Sequence, residues 1–329
     1  MGKILILTHA KDGTTDLITE KLKEKNASFV RFDTENFPEK IKLTIKLNKC
    51  DWSGYMFFDG TKKIDLKDIS VVWNRRPHKP EINSIKDTKT KEWAEEESWQ
   101  LLKCLWKLME DRFWVNPIES NEKIQFNKPY QMFVANKIGL KTPYSILTNN
   151  PNDVISFCNE TEEVALKVIK SVAVHYPEKI FLMHTKKISK KDINEQSLTG
   201  VRHSPVFLQK YIAKKTELRI TVVGEKVFAC EIDSQSCKET EEDWRKHIFV
   251  KNDIPHRKYD LPCDIKNKCI RLTKELGLYF GAIDMILTPS NDYVFLEINP
   301  NGQWGWIEQL TDMPISSCVA DFLIANIKK

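Results

Sequence analysis

Asp284, Glu297 and Asn299 lie in the stretch YFGAIDMILTPSNDYVFLEINPNGQWGW, and their types and spacing suit the holding of a hard cation. Two apolar runs, YFGAIDMIL and YVFLEINP, flank TPSND, so the stretch predicts a β-hairpin. Asp284 precedes Glu297 by 13 residues, which makes the two cross-strand neighbours over a short turn. Side chains alternate along a strand, so Glu297 and Asn299 are expected on one face, with Leu296 and Ile298 on the other. Carboxylates this close repel, and a bound cation removes that cost. Two carboxylates and an amide oxygen would serve Mg²⁺ ions that bridge nucleotide phosphates. By itself the pattern is equally that of a solvated strand face ending in a turn.

If phosphates are present, cations must meet them. Lys167 sits within the apolar EVALKVI, with Lys170 just behind it. An ammonium in an apolar strand is costly unless it meets an anion or reaches water at the strand end. Lys128 stands at the head of an amphipathic helix, and taken singly it reads as surface.

These residues need a scaffold, and the pattern supplies one. KILILTH reads as a buried strand, TTDLITEKLKEKN as a helix, ASFVRFDTENF as a second strand, and SVVWNRRPHKP as a third that ends in a basic loop. Such alternation predicts an α/β layer with a partly parallel sheet. TKEWAEEESWQLLKCLWKLMEDRFW predicts one long helix, with Leu101, Leu105, Leu108 and Arg112 on a core face and Leu102, Trp106, Met109 and Phe113 beside it. VNPIESN breaks that pattern and sets a boundary near residue 115. Next come a helix ended by Gly139, a strand in VALKVIKSVAVHYP, and the near-continuous alternation of SPVFLQKYIAKKTELRITVVGEKVFACEIDSQ, which predicts an antiparallel α+β sheet with a turn at VVGEKVF. KETEEDWRKHIFVKND is expected as a mobile loop, IKNKCIRLTKELGL as a helix, and a closing helix from about Ile315.

Composition excludes several classes. The chain has 51 basic and 46 acidic residues, net +5, so no basic excess points to nucleic acid. Its eight cysteines form no CxxC pair, which argues against a zinc ribbon or a thiol redox site and predicts reduced, mostly buried thiols. The opening apolar run is four residues long, and no run approaches the ~18 of a membrane span, so a cytoplasmic protein without a membrane partner is expected. No Ser-His-Asp or Cys-His arrangement stands out.

Asp-x12-Glu-x-Asn closing a hairpin, the two lysines some forty residues apart, and FLQKYIAKKTELRI together resemble the ATP-grasp ligases over roughly residues 116–329. The resemblance implies two α+β lobes that close on Mg²⁺ and ATP. It matches Lys128 and Lys167 to phosphate-binding lysines, the QKYI of Gln209, Lys210, Tyr211 and Ile212 to the adenine-binding segment, and Glu217 to a ribose-binding acid. It matches Asp284, Glu297 and Asn299 to metal ligands. Over nearly the whole chain, VVWNRRP, DWR at Asp243 to Arg245, and EINPNGQWGWIEQLTDMPIS are similar to the graspetide synthetases.

That resemblance implies a pre-ATP-grasp α/β domain over 1–115, a central ATP-grasp lobe over 116–208, and a C-terminal lobe with the metal site over 209–329. It implies a homodimer acting on a ribosomal precursor peptide with a leader and a core rich in Thr, Glu and Asp. Core Asp or Glu side chains would be phosphorylated and condensed with Thr or Ser hydroxyls or Lys amines, giving ω-ester or ω-amide crosslinks. Arg219 and Arg245 are the candidates to grip the acceptor carboxylate and the oxyanion, because a guanidinium binds such oxygens bidentately. The alternatives are a ligase that adds a free amino acid to an acceptor, and a nucleotide-sensing module without turnover. KSVAVHYPEK holds no glycine where many ATP-grasp enzymes carry a Gly-rich loop, which leaves Lys167 and Lys170 both open as the phosphate ligand. Trp304 and Trp306 are open between contact with a peptide and anchoring of the turn.

Overall fold

The structure is a computed structural model that describes residues 2–58, 60, 62–170, 173–175, 180–182, 184–249 and 254–327, the side chains of 173–175, 180–182 and 247–249 excepted. Part of the KSVAVHYPEK stretch, residues 171, 172 and 176–179, therefore lies outside the described residues.

The first third holds β1 (Lys3–Thr8), β2 (Phe29–Asp33), β3 (Ile41–Asn48), β4 (Asp51–Phe58), β5 (Lys62–Asp65), β6 (Ile69–Asn74) and β7 (Phe113–Val115), with helices α1 (Gly13–Glu24) and α2 (Thr88–Leu108). Strands β2, β1, β6 and β7 form a parallel sheet in that order. The run ILIL is apolar throughout because both faces of β1 are covered. Ile4 and Ile6 pack toward Trp304, Ile307 and Val319 near the C-terminus, whereas Leu5 and Leu7 pack toward α2. The antiparallel meander β3–β4–β5 went unread in the sequence.

The long helix is shorter than the pattern predicted. Helix α2 ends at Leu108, and Phe113–Val115 are drawn out into β7 because their backbone groups complete the parallel sheet. Its buried stripe is Leu102, Leu105 and Trp106, continued by Met109, while Leu101 turns to solvent.

The middle of the chain forms α3 (Ile118–Ile124), α4 (Lys128–Lys137), β8 (Ser145–Thr148), α5 (Pro151–Glu160), β9 (Val164–Lys167), β10 (Ala173–His175), β11 (Ile180–Leu182), β12 (Lys186–Ile188), α6 (Glu195–His203) and β13 (Val206–Lys210). The expected single helix is broken in two at Phe126, whose φ is +62°. Asn127 then caps α4 through its side chain, and Gly139 at φ +84° lies just past the helix end, a backbone state that costs glycine little. Strands β12, β9, β13 and β8 form one sheet, and β10 and β11 a hairpin.

The last part holds β14 (Thr216–Val223), β15 (Lys226–Ile232), β16 (His256–Lys258), α7 (Cys263–Glu275), β17 (Phe280–Leu287), β18 (Tyr293–Asn299), α8 (Gly305–Thr311) and α9 (Ile315–Ala325). Its antiparallel sheet runs β16-β15-β14-β17-β18. Gly224 at φ +57° makes the tight β14–β15 turn expected at VVGEKVF. In the stretch expected as a mobile loop, Lys238–Thr240 and Trp244–Phe249 form short 3-10 turns, with Thr240 and Asp243 buried and hydrogen-bonded, while residues 250–253 lie outside the described residues. All eight cysteines are free, and only Cys158, Cys230 and Cys269 are buried. The expectation of mostly buried thiols fails because Cys50 and Cys237 lie between elements and Cys104, Cys263 and Cys318 on incompletely covered faces of α2, α7 and α9. No helix among the described residues is long and apolar enough to cross a membrane.

Candidate active site

Four charged side chains stand in a row, three on the last sheet and one at the start of α4. Arg219 on β14 faces Asp284 on β17 in the strand register, and Asp284 faces Glu297 on β18. Arg219 Nη1 donates to both Asp284 oxygens at 2.8 and 2.9 Å. Lys128 Nζ, at the start of α4, reaches Glu297 Oε2 at 2.9 Å. The row is plus, minus, minus, plus, with its two carboxylates in the centre. Burial pushes the Asp284 carboxyl up, opposed by Arg219 and aided by the charge of Glu297. Burial acts on Glu297 in the same sense, but Lys128, Arg245 and Lys167 outweigh it and hold that group down.

The hairpin departs from strict alternation. Pairing runs from Asp284–Glu297 directly to Met285–Phe295, so Leu296 is an extra residue without a partner of its own. This bulge turns Leu296 toward the cleft beside Glu297, rather than to the opposite face. Ile298 stays in the core as expected. Asn299 is exposed, and its Oδ1 accepts from Asn301 N at 2.9 Å. It lies beyond Glu297 on the same strand and outside the cleft lining.

The cleft lies between the two antiparallel sheets. Lys128, Lys167, Gln209, Lys210, Tyr211, Ile212, Glu217, Arg245, Asp284 and Glu297 all line it, so the structure brings together ten of the twelve residues matched to nucleotide, metal or acceptor. Asn299 and Arg219 stand at its edge. Lys167 ends β9, and burial depresses its pKa to about 8 against the attraction of Glu297. Lys170 instead places its Nζ over the Phe126 ring, 5.6 Å from the centroid, so Lys167 is the lysine the fold aims into the cleft. In the QKYI segment, Lys210 N and Tyr211 N donate to Tyr144 O and Glu163 O, and Gln209 Nε2 bonds Ser145 Oγ at 3.0 Å.

Lys214 was not read from the sequence, and Asp243 was given no role there. Lys214 Nζ bonds Glu217 Oε1 and Glu242 O, each at 2.9 Å. No periodicity marks this lysine, and only the fold shows that it is sealed. Asp243 accepts from Thr185 N at 3.0 Å and from Arg245 Nη2 at 2.6 Å, which ties the two lobes together. Burial opposes the charge of Asp243, but Arg245 and Thr185 N hold its carboxyl well below the usual range, and the same ion pair holds Arg245 charged. Trp304 is fully buried in the core, whereas Trp306 packs on Trp244 with ring centroids 5.1 Å apart.

The donor set fits a magnesium nucleotide. Two carboxylates stand side by side, each with part of its surface open, and each is opposed by a cation of the chain. No cluster of three His, Cys, Asp or Glu is formed among the described residues, so further metal ligands would be amide, phosphate or water oxygens, as Mg²⁺ prefers.

Residues 3–122 match the MvdD pre-ATP-grasp domain and residues 126–323 the RimK-like ATP-grasp domain. The chain belongs to the ATP-grasp ligases, in the graspetide synthetase family. A RiPP-associated ATP-grasp ligase of Chryseobacterium gregarium, solved with ADP and a leader and core peptide, is 31% identical, covers 100% of this chain and 98% of its own, and superposes at TM-score 0.90. Macrocyclase MdnC of Microcystis aeruginosa MRC, solved with precursor peptide MdnA, is 29% identical over 98% and 99% of the two chains at TM-score 0.84. Macrocyclase MdnB of the same organism is 30% identical over 98% and 99% at TM-score 0.78. No curated protein matches the chain. The synthetase is thus an ATP-dependent ligase, and its fold is a pre-ATP-grasp α/β domain followed by an ATP-grasp domain.

Proposed function

We propose that this synthetase closes rings in a ribosomal precursor peptide. An Asp or Glu side chain of the core takes the terminal phosphoryl group of ATP, releasing ADP. A Thr or Ser hydroxyl or a Lys amine of the same core then attacks the acyl carbon, loses its proton and expels phosphate, leaving an ω-ester or ω-amide. Phosphoryl transfer needs positioning and charge neutralisation rather than an enzyme nucleophile, in keeping with a cleft built of ion pairs.

The charge row Arg219–Asp284–Glu297–Lys128 carries this reading. Asp284, Glu297 and Asn299 are the residues that would hold Mg²⁺, which when bound neutralises charge on the phosphates. Lys128 and Lys167 face phosphates, Gln209 to Ile212 adenine, and Glu217 ribose. Arg219 keeps a buried Nε without a hydrogen-bond partner among the described residues, and Arg245 is part-exposed at the cleft. Both are suited to an acceptor carboxylate or oxyanion while remaining charged. We extend the reading to a domain division at 115 and 208, a cytoplasmic homodimer, and a substrate with a leader and an acidic, Thr-bearing core, each on the strength of the family resemblance. Nothing in the cleft favours addition of a free amino acid.

The test is the intact mass of a candidate precursor peptide encoded near this chain's gene, after incubation with the protein, ATP and Mg²⁺. Loss of one or more waters is expected with the wild type and not with Glu297→Gln, whose rate falls at least ~1000-fold. A mass gain would instead mean ligation of a second molecule and would sink the macrocyclase reading.

A further inference from the structure

The parallel sheet changes winding direction between β1 and β6, with β2 on one side of β1 and β6 on the other. In parallel sheets a ligand crevice opens at the carboxyl ends of the strands at such a point. The chain leaves β6 there through Arg75 and Arg76, whose backbone N–H groups both donate to Leu7 O, at 3.0 and 3.2 Å.

Their side chains cross to the turn that follows β18. Arg75 Nη1 donates to Asn301 O at 2.9 Å and Gly302 O at 3.0 Å. Arg76 Nε donates to Asn301 O at 3.1 Å, and Arg219 Nη2 to Gln303 O at 3.2 Å. Three guanidiniums therefore cap three consecutive carbonyls, just beyond the strand that carries Glu297.

The charges of these arginines are not equally compensated. Arg75 pairs with Asp12, Arg219 with Asp284, and Arg245 at the cleft with Asp243. Arg76 forms no ion pair with a carboxylate among the described residues. Burial disfavours its cation most, the charge of Asp12 opposes that without pairing with it, and the charge of Arg219 adds to the cost. A guanidinium does not escape that cost by losing its proton. Its two terminal nitrogens make no hydrogen bond among the described residues, which leaves the planar fork that matches a carboxylate.

We propose that Arg76 binds the side-chain carboxylate of the substrate residue that is to be activated, in the crevice between the ends of β1 and β6 and the turn at Asn301 to Gln303. This deepens the peptide-cyclising reading above and rests on it. The nucleotide cleft lined by Lys128 and Lys167 does not include Arg76, so the site takes the acceptor and not the phosphates of ATP. Arg219, engaged with both Asp284 and this turn, stands between the two anions.

The experiment uses the precursor peptide of the mass assay, fluorescently labelled, with its core Glu and Asp either intact or changed to Gln and Asn. Both peptides are titrated against wild type, Arg76→Gln and Arg76→Lys, with Mg²⁺·ADP titrated against each protein in parallel. Wild type is expected to bind the acidic core roughly 10- to 100-fold more tightly than the amide core. Arg76→Gln is expected to bind the two alike, Arg76→Lys to regain part of the preference, and Mg²⁺·ADP affinity to stay within about twofold. An Arg76→Gln protein that keeps the acidic preference overturns the assignment. So does a parallel loss of Mg²⁺·ADP affinity, which would make Arg76 a support for the turn alone. A wild type that neither binds nor cyclises the peptide overturns the reading beneath it, and the assignment with it.

Discussion

Two ion pairs near the cleft contrast in their access to water. Arg75 and Asp12, between the N-terminal sheet and the turn after β18, are 1% and 0% exposed; Thr14 N satisfies the other Asp12 oxygen, and Asn301 O, Gly302 O and Gln303 Oε1 take the remaining Arg75 nitrogens. Lys128 and Glu297, in the row above the cleft, are 19% and 27% exposed. The first pair has nowhere else to go and locks two parts of the chain. The second is made so that a ligand can replace either partner. Sealing marks a charge that positions, and partial access marks one that exchanges.

Removing one partner from each pair separates these roles most strongly. Arg75→Ala leaves Asp12 buried and unpaired and is expected to cost about 3–5 kcal/mol in urea unfolding. Glu297→Gln is expected to move the same midpoint by less than about 1 kcal/mol, although it abolishes turnover. Equal losses would remove the distinction. Gly302 lies between the two regions. An added Cβ there would meet Ala282 Cβ at 2.3 Å and Arg219 Nη2 at 3.0 Å. Gly302→Ala is therefore expected to cost about 1–3 kcal/mol by overpacking, with a weaker Mg²⁺ dependence in the nucleotide titration.

The smallest effect is a proton. Lys167, at about 8, is charged at neutral pH, and nearby phosphates would raise its pKa. Calorimetry at pH 8 in buffers of different ionisation enthalpy should show uptake of up to about half a proton as Mg²⁺·ADP binds, absent in Lys167→Met. The sign for folding follows from the same depression. The unfolded chain, with its lysine near 10.5, binds more protons than the folded chain above about pH 8, so this group lets ligand-free stability rise from there toward pH 10.5. A fall across that window that Lys167→Met abolishes would contradict the burial of this lysine.

The sequence showed the exchanging region better than the locking one. Asp284 and Glu297 were legible as neighbours because a hairpin turns spacing into contact, and Lys167 because a charge in an apolar strand is conspicuous. The alternation of β14 and β15 and the apolar run of β1 were legible for the same periodic reason. Asp12 and Arg75 were not, since residues 63 apart meet only through the parallel sheet. Lys214 lay inside a strand-like alternation and Asp243 was legible only through the DWR resemblance, and only the fold shows that both are buried. Helix α2 was overextended because the apolar Phe113 and Trp114 suit a helix face and a buried strand alike.

The bulge at Leu296 has a consequence for the evolution of this hairpin. One surplus residue divides β18 into two halves that are out of step, so that Glu297 and Leu296 both serve the cleft while Phe295 and Ile298 fill the core. A deletion of Leu296 would remove no charge and no hydrogen-bonding side chain. It would restore strict alternation, leave every other residue of β18 with its present face and cross-strand partner, and take one apolar side chain out of the cleft. A relative with one residue fewer here would thus keep Glu297 opposite Asp284 and Phe295 opposite Met285, and would differ only in the apolar wall beside the carboxylate.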